Sequence, residues 1–225
     1  MRLISDCRII IICFFALILA IKINAQESTI DSTILLSDTA TIDGTYYSAF
    51  LKTNDTVYII DDQGNVIFKN TGYGYDMQFK DFDHDGCKDL VISHLCNVPG
   101  VIDLVNYDSS GKSFHYVDFS LYPDPQWIEG TKYYYSYHRS GCADANWDSD
   151  LFYIEDYKIH RIGNIAGREC GNDSEEKGIF IYRVENNISF YLGKKPVSIL
   201  NDYQDYKWGF IKDYWTGNLG KFTGK

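Results

Sequence analysis

The sequence predicts an all-β fold, a small β-propeller-like domain made of antiparallel hairpins. Tyrosine and phenylalanine are abundant, with 19 and 13 residues, whereas proline occurs only four times. Aromatic and β-branched residues favour strands. Short apolar runs joined by acidic or amide turns recur along the chain, and no stretch shows sustained helical periodicity. The chain is long enough for one domain with a full core.

A signal peptide is expected at residues 1–25. A basic start leads into an apolar run from Ile9 to Ile21, and Ala25 ends a short segment that fits a signal-peptidase site. The competing interpretation is an uncleaved membrane anchor, but the run is shorter than the roughly 20 residues that cross a bilayer. We therefore expect an exported protein, periplasmic or extracellular, with no membrane span in its mature form.

The charge of the mature chain limits its partners. Removing the signal peptide takes away three basic residues and one acidic residue, which changes the formal charge from −10 to −12. Such a chain is expected to repel nucleic acid and anionic lipid. It is expected to attract calcium and cationic proteins, although acidity also serves solubility alone.

After the signal peptide, two regions are predicted. Residues 26–43 are rich in Ser, Thr and Asp, which indicates an extended leader that folds poorly or lies over the domain edge. A single β domain is expected over residues 44–225. Its tail, residues 203–222, is expected to form either a closing strand pair or a short helix.

Four hairpins are predicted within the domain, each with turn-forming residues between two apolar runs. Their turns lie at residues 61–65, 108–112, 155–156 and 186–187. The first three recur roughly every 45 residues, a spacing typical of propeller blades. A sandwich or a simple meander would produce the same hairpins.

Four cysteines follow the signal peptide, and an even number in an exported chain suggests two disulfides, although the sequence does not give the pairing. The segment between Cys87 and Cys96 reads largely as a strand, which would hold these two residues too far apart for a bridge. Cys142 and Cys170 lie in glycine-rich loops around one hairpin. We expect these two to pair.

The segment 81–90 predicts a calcium-binding hairpin loop. Aspartates at loop positions 1, 3, 5 and 9 supply the oxygen ligands that calcium prefers, and Gly86 at position 6 permits a sharp turn. Helical versions of such a loop end in Glu at position 12, but Ile92 stands there and both flanks read as strands. A structural Ca²⁺ is therefore expected, with ligands from Asp81, Asp83, Asp85, Asp89 and the backbone carbonyl of Cys87.

The pattern D-x-D-x-D-G-x-x-D-L between strands resembles the signature of FG-GAP and VCBS-type repeats, which build β-propellers. The stretch 77–162 also resembles a group of small secreted bacterial proteins. The shared features are the Asp-rich loop, Leu90-Val91-Ile92, the turn at Tyr107-Asp108 before Phe114, and a Tyr-rich strand ending at residues 137–141. That group includes immunity proteins that inhibit peptidoglycan hydrolases delivered by rival bacteria. The resemblance implies a calcium-containing propeller that binds a cationic, lysozyme-like hydrolase.

A second candidate site is the aromatic segment 133–148. Tyrosine, tryptophan and arginine are enriched in the energetically dominant parts of protein interfaces. The partner-binding residues expected here are Tyr137, His138, Arg139, Asn146 and Trp147. The same aromatics would stack on sugars if the protein were instead a carbohydrate- or surface-adhesion module, and a purely structural role in the core is the third reading. No catalytic motif occurs in the chain, so a non-enzymatic binding protein is expected.

Overall fold

Antiparallel strands form most of the structure, as the sequence predicts. The computed structural model describes residues 33–171 and 176–224, and the predicted signal peptide lies outside them. The first sheet contains β1 (Ile34–Ile42), β2 (Thr45–Lys52), β3 (Thr56–Ile60) and β4 (Val66–Thr71). The second contains β5 (Asp76–Lys80), β6 (Asp89–Ser93), β7 (Ile102–Asp108) and β8 (Ser113–Val117).

The third sheet has seven strands. They are β9 (Gln126–Trp127), β10 (Tyr133–Tyr135), β11 (His138–Arg139), β12 (Trp147–Glu155), β13 (Lys158–Arg168), β14 (Gly178–Glu185) and β15 (Ile188–Lys195). Their order is β15-β14-β13-β12-β10-β9, with β11 also paired to β12. The 3₁₀ turns Cys142–Asp144 and Val197–Asp202 and the helices α1 (Tyr206–Asn218) and α2 (Gly220–Thr223) complete the described chain.

Three apolar cores hold the elements together, two of them between sheets and one between a sheet and a helix. The first core lies between the first two sheets, where Leu51 and Ile59 join a cluster with Leu90. The second joins Val91 of the middle sheet to Phe152 of the third. The third lies between the third sheet and α1; its members include Leu151, Ile165, Ile179, Phe210 and Trp215. Because its side chains enter both of the first two cores, β6 is buried on both faces.

All four predicted hairpins are present. They are the antiparallel pairs β3–β4, β7–β8, β12–β13 and β14–β15. Two of the turns, at Asp156-Tyr157 and Asn186-Asn187, have positive φ at both central residues, as two-residue hairpin turns require. The turn at residues 186–187 is where the sequence predicts it, whereas the turn predicted at residues 155–156 lies one residue later, because Glu155 still belongs to β12.

The domain begins earlier than expected. The leader was expected to reach residue 43, but β1 occupies residues 34–42 and pairs with β2 along its length. The turn between them is Asp43-Gly44, with φ of 49° and 78°. Asp-Gly is a strong signal for this kind of turn, and Ala40 and Ile42 alternate into the core. The expected start at residue 44 is therefore wrong by at least ten residues.

The propeller prediction remains a prediction. The first two sheets are four-stranded meanders, the strand arrangement of a propeller blade, and they stack face to face. The third sheet has seven strands, more than a blade contains. The pairing among the described strands does not by itself demonstrate a closed ring.

The C-terminal tail forms a helix, one of the two expected alternatives. Phe210, Ile211 and Trp215 of α1 are buried against the third sheet. Gly163 on β13 allows this close approach, because an added Cβ would lie 2.9 Å from the Trp215 ring. Neither helix of the described chain is long and apolar enough to span a membrane.

Candidate metal centre

The predicted calcium loop connects β5 to β6 at the end of the middle sheet. Its backbone turns back through His84 and Gly86, with φ of 63° and 94°. Glycine occupies the second of these conformations without steric cost. The paired strands on either side keep Lys80 directly opposite Asp89. The loop is therefore a hairpin, as the strand-like flanks indicate.

Three of the predicted ligands lie together. Carboxylate oxygens of Asp81, Asp83 and Asp89 are all within 4.8 Å of one another. A calcium ion with bonds of about 2.3–2.6 Å can touch oxygens separated by up to about 5 Å. The spacing therefore suits one shared ion, with Asp89 buried at the base and Asp81 exposed at the rim.

The other two predicted ligands have different surroundings. The Asp85 carboxylate accepts a hydrogen bond from the Cys87 backbone N–H at 2.7 Å, and it is outside the group of three. The Cys87 side chain packs against the first core and lies 3.9 Å from a carboxylate oxygen of Asp43. Ligation by Asp85 or by the Cys87 carbonyl remains a prediction.

Asp89 fixes the loop to the strands beneath it. Its side chain accepts hydrogen bonds from the backbone N–H groups of Phe82 at 3.0 Å and Tyr107 at 2.8 Å. The residue is only 1% exposed. Burial raises the pKa of Asp89 to about 7, even though these hydrogen bonds act in the opposite direction. A nearby cation would favour the ionised form.

Asn106 on β7 was not anticipated from the sequence. Its amide donates to Asp83 Oδ2 and to Asp89 Oδ1, both at 2.8 Å, so it orients two carboxylates of the cluster. Burial also raises the pKa of Asp83, and the neighbouring charge of Asp85 adds to that effect. No loop motif could reveal Asn106, because it is brought in by the next strand.

Aromatic contacts attach the other side of the loop to the third sheet. The Phe82 ring stacks on Tyr134 with centroids 5.5 Å apart, and the Tyr134 hydroxyl donates to the Phe82 carbonyl at 3.3 Å. The His84 ring stacks on Trp127 at 3.7 Å. Ordering the loop therefore also orders the junction between two sheets.

The predicted partner-binding residues do not form one exposed surface. Trp147 has no exposed surface and Tyr137 is 4% exposed, so both belong to the core beneath the third sheet. The expectation that they contact a partner is wrong, because their ring area is used in packing. His138 is half-buried and Arg139 is exposed.

The remaining predicted residue, Asn146, is a structural clamp. Its side-chain oxygen accepts from the backbone N–H groups of Glu169 and Cys170, and its amide donates to the Cys170 carbonyl. All three hydrogen bonds are between 3.0 and 3.1 Å. Asn146 therefore joins two loops and has little capacity left for a partner.

The segment between Arg139 and Asn146 is held in an unusual conformation. Three successive residues, Cys142, Ala143 and Asp144, have positive φ, which is rare outside glycine. The buried Lys207 ammonium donates to the Asp144 carbonyl at 2.8 Å and pairs with its carboxylate at 2.7 Å. The Tyr137 hydroxyl also donates to that carboxylate.

Cys142 and Cys170 form the predicted disulfide, with Cα atoms 6.1 Å apart. Cys87 and Cys96 are free thiols, so the second disulfide suggested by the even number of cysteines is absent from the described residues. Their failure to pair with each other agrees with the expectation that a strand holds them apart. The bridge and the Asn146 clamp connect the same two loops. Together they fix the exposed segment 139–146 on the end of the third sheet.

Removing this bridge should destabilise the protein considerably. The cysteines are 28 residues apart, and closing a loop of this size is worth about 3–4 kcal/mol in the chain-entropy model. The double variant Cys142→Ser/Cys170→Ser is expected to lose that amount in urea unfolding. Cys96→Ser, which removes an exposed free thiol, is the matched control and should change little. Equal urea midpoints for both variants would contradict a stabilising role for the bridge.

Comparisons with known proteins do not assign the chain to a family or a function. No protein-family model matches the chain, and no curated protein sequence matches it. Among solved structures, the chain is similar to one described as the "Structure of a Xanthomonas Type IV Secretion System related protein". The identity is 12% and the TM-score 0.46, over 70% of this chain and 93% of that one. A likeness of this size assigns no function.

Proposed function

We propose that this protein is an exported, calcium-stabilised binding module without catalytic activity. The observation that carries the proposal is the convergence of Asp81, Asp83 and Asp89 within 4.8 Å on a glycine-turned hairpin loop. Three carboxylates this close repel one another, and a divalent cation removes that cost. The role of the ion is structural, because the loop that it orders connects two strands of the second sheet and packs against the third sheet.

Calcium fits this donor set better than other common metals. All three side chains offer oxygen, which hard cations prefer, and none offers the sulfur or imidazole that selects zinc or copper. Magnesium demands strict octahedral geometry and usually keeps several waters. A loop with several converging carboxylates favours the larger ion with its higher coordination number.

Thermal unfolding with calcium and with chelator tests the site. An ion that binds only the folded state should add about 2.7 kcal/mol of stability at a hundred times its dissociation constant. Asp83→Asn should abolish this gain, because it removes one charge and keeps an oxygen to accept from Asn106. Asp62→Asn, at an exposed turn position of another hairpin, is the control and should keep it. An identical melting temperature in both buffers would exclude a stabilising ion.

The partner we propose is a cationic cell-wall hydrolase, which this protein inhibits. The formal charge of −10 supports this, because opposite net charge accelerates encounter. The segment 139–146 offers a contact surface that is already ordered by the disulfide, the Asn146 clamp and Lys207. A pre-ordered loop loses less conformational entropy on binding than a mobile one.

Cell-wall lysis assays test the inhibitor proposal. Purified mature protein should slow lysis by a lysozyme-like enzyme at a near-equimolar ratio. Arg139→Ala should weaken the effect, since Arg139 is the exposed residue among the predicted contacts and its side chain would lose its contact with the partner. Lys112→Ala, which removes a cation from the β7–β8 turn, changes the net charge equally and should leave inhibition unchanged. No inhibition of, and no complex with, any of several such enzymes would remove this proposal and leave the calcium site intact.

A carbohydrate-binding function is the second candidate, favoured by a cleft beside α1. The cleft has a volume of about 270 Å³, and Asp124, Gln126 and Trp208 are among its lining residues. Trp208 is 47% exposed, unlike the buried Trp147. Binding in a glycan array that is lost in Trp208→Ala and kept in chelator would favour this function over hydrolase inhibition.

A further inference from the structure

The last strand of the third sheet leaves one edge unpaired. β15 is hydrogen-bonded to β14 on one side and ends the sheet on the other among the described strands. Residues 188–192 are all exposed. Such an edge presents a row of free backbone donors and acceptors that can pair with another strand.

Apolar side chains flank this edge on both faces of the sheet. Ile188 and Phe190 pair with Glu185 and Arg183 of β14 and are 60% and 42% exposed. Tyr191 is 59% exposed and contacts Tyr182 on the opposite face, with ring centroids 5.9 Å apart. Exposed apolar groups that cluster on an open edge mark an interaction surface.

We infer that β15 pairs antiparallel with β15 of a second copy of this chain, which joins two seven-stranded sheets into one. A strand that pairs with itself about a two-fold axis must be complementary to its own reverse. Three features of β15 meet this requirement: its register, the positions of its large and small side chains, and its charges.

The register follows from an irregularity in β15. Gly193 pairs with Ile181 and Tyr191 pairs with Tyr182, which leaves Leu192 as an extra residue. This bulge shifts the alternation, so Ile188 and Lys195 point to the same face of the sheet. Opposed residues of an antiparallel pair share a face. If the two β15 strands overlap along their whole length, Ile188 of one copy lies opposite Lys195 of the other. In this arrangement, opposed residues point to the same face of the joined sheet, as antiparallel pairing requires.

This register places a large side chain next to unoccupied space. Phe190 of one copy lies opposite Gly193 of the other. Gly193 has no atom within 4 Å of where a Cβ would be, so the position beside it is free to receive the ring. Aromatic residues opposite glycine are a known stabilising arrangement in sheets.

Charges at the two ends of the strand are also complementary. Lys195 of one copy lies opposite Ile188, which pairs with Glu185 on β14. Strands are spaced by about 4.8 Å, so Lys195 and Glu185 are two spacings apart on one face, within reach of their combined side chains. The exposed Glu185 carboxylate now pairs with Arg183 at 3.0 Å. The contact between Lys195 of one copy and Glu185 of the other occurs twice in the dimer. It offsets part of the repulsion between two acidic chains.

Sedimentation analysis over a concentration series of the mature chain tests this inference. A reversible dimer is expected, with the monomer dominating at low concentration because the contact area is small. Phe190→Lys should raise the dissociation constant by about tenfold or more, as expected when a central contact is lost. Leu121→Lys, at an exposed apolar position outside β15, is the control and should leave the dissociation constant unchanged.

A charge exchange gives the sharper test of the register. Glu185→Lys and Lys195→Glu should each weaken the dimer, since each places like charges together, and the double variant should restore it. A monomer at every accessible concentration overturns the inference. So does a dimer that Phe190→Lys leaves unaffected, or a double variant no tighter than the single ones.

Discussion

Replacing Trp147 by alanine is expected to lower the free energy of unfolding by about 3–5 kcal/mol, the usual cost of deleting a buried large aromatic side chain. Trp147 is fully buried in the third sheet and contacts Phe210 of α1. The backbone beneath it is also adapted to the ring, because a Cβ at Gly167 would lie 2.1 Å from a Trp147 ring atom.

Trp208→Ala is the matched control, since it removes the same side chain from a position that is 47% exposed. It should cost clearly less than Trp147→Ala in urea unfolding followed by circular dichroism. Similar losses for the two variants would contradict the placement of Trp147 in the core. They would also reopen its original interpretation as a partner contact.

Replacing Asp89 by alanine is expected to cost about 3–5 kcal/mol even without metal. The change leaves the backbone N–H groups of Phe82 and Tyr107 and one Asn106 interaction without an acceptor. An unsatisfied buried donor costs about 1–3 kcal/mol. Urea unfolding in chelator isolates this structural contribution from that of any ion.

Asp85→Ala is the control for this prediction, because Asp85 belongs to the same loop but is exposed. Its loss removes one exposed hydrogen bond to the Cys87 N–H, so the cost should be well under that of Asp89→Ala. If the two variants were equally stable in chelator, Asp89 would not anchor the loop.

The pKa of Asp89 makes stability depend on pH in a defined direction. It is about 7 in the folded protein against 3.8 for an unperturbed carboxyl group, so the folded state binds the proton more tightly. In chelator, this group should therefore destabilise the protein as pH rises from about 4 to 7, by up to about 1.4 kcal/mol per pH unit. Asp89→Asn should lack this contribution. Calcium competes with the proton, so calcium affinity should fall as pH drops below 7.

Local features of the fold were predictable because they depend on nearby residues. The hairpin turns and the Asp-rich loop follow from short-range patterns, and the Cys142–Cys170 pair was favoured because both residues lie in loops around one hairpin. The start of β1 was also within reach, because Asp43-Gly44 carries the same turn signal that identified the other hairpins. The composition of residues 26–43 outweighed that signal in the sequence-based prediction.

Features set by tertiary packing were not predictable. Tyrosine and tryptophan have an apolar body and a polar tip, so their sequence does not distinguish a core position from an exposed one. Tyr137 and Trp147 are buried because α1 packs over them. Asn106 lies in the acidic cluster because β7 pairs with β6, which no motif within residues 81–90 encodes.

Calcium titration by calorimetry tests the central claim most directly. Metal-free mature protein should bind one calcium ion per chain in neutral buffer, and magnesium should bind much more weakly. Asp83→Asn should lose this binding, whereas Asp62→Asn should retain it. Absence of calcium binding up to millimolar concentration, in a protein that is folded by circular dichroism, would contradict the account of residues 81–89 as a metal centre.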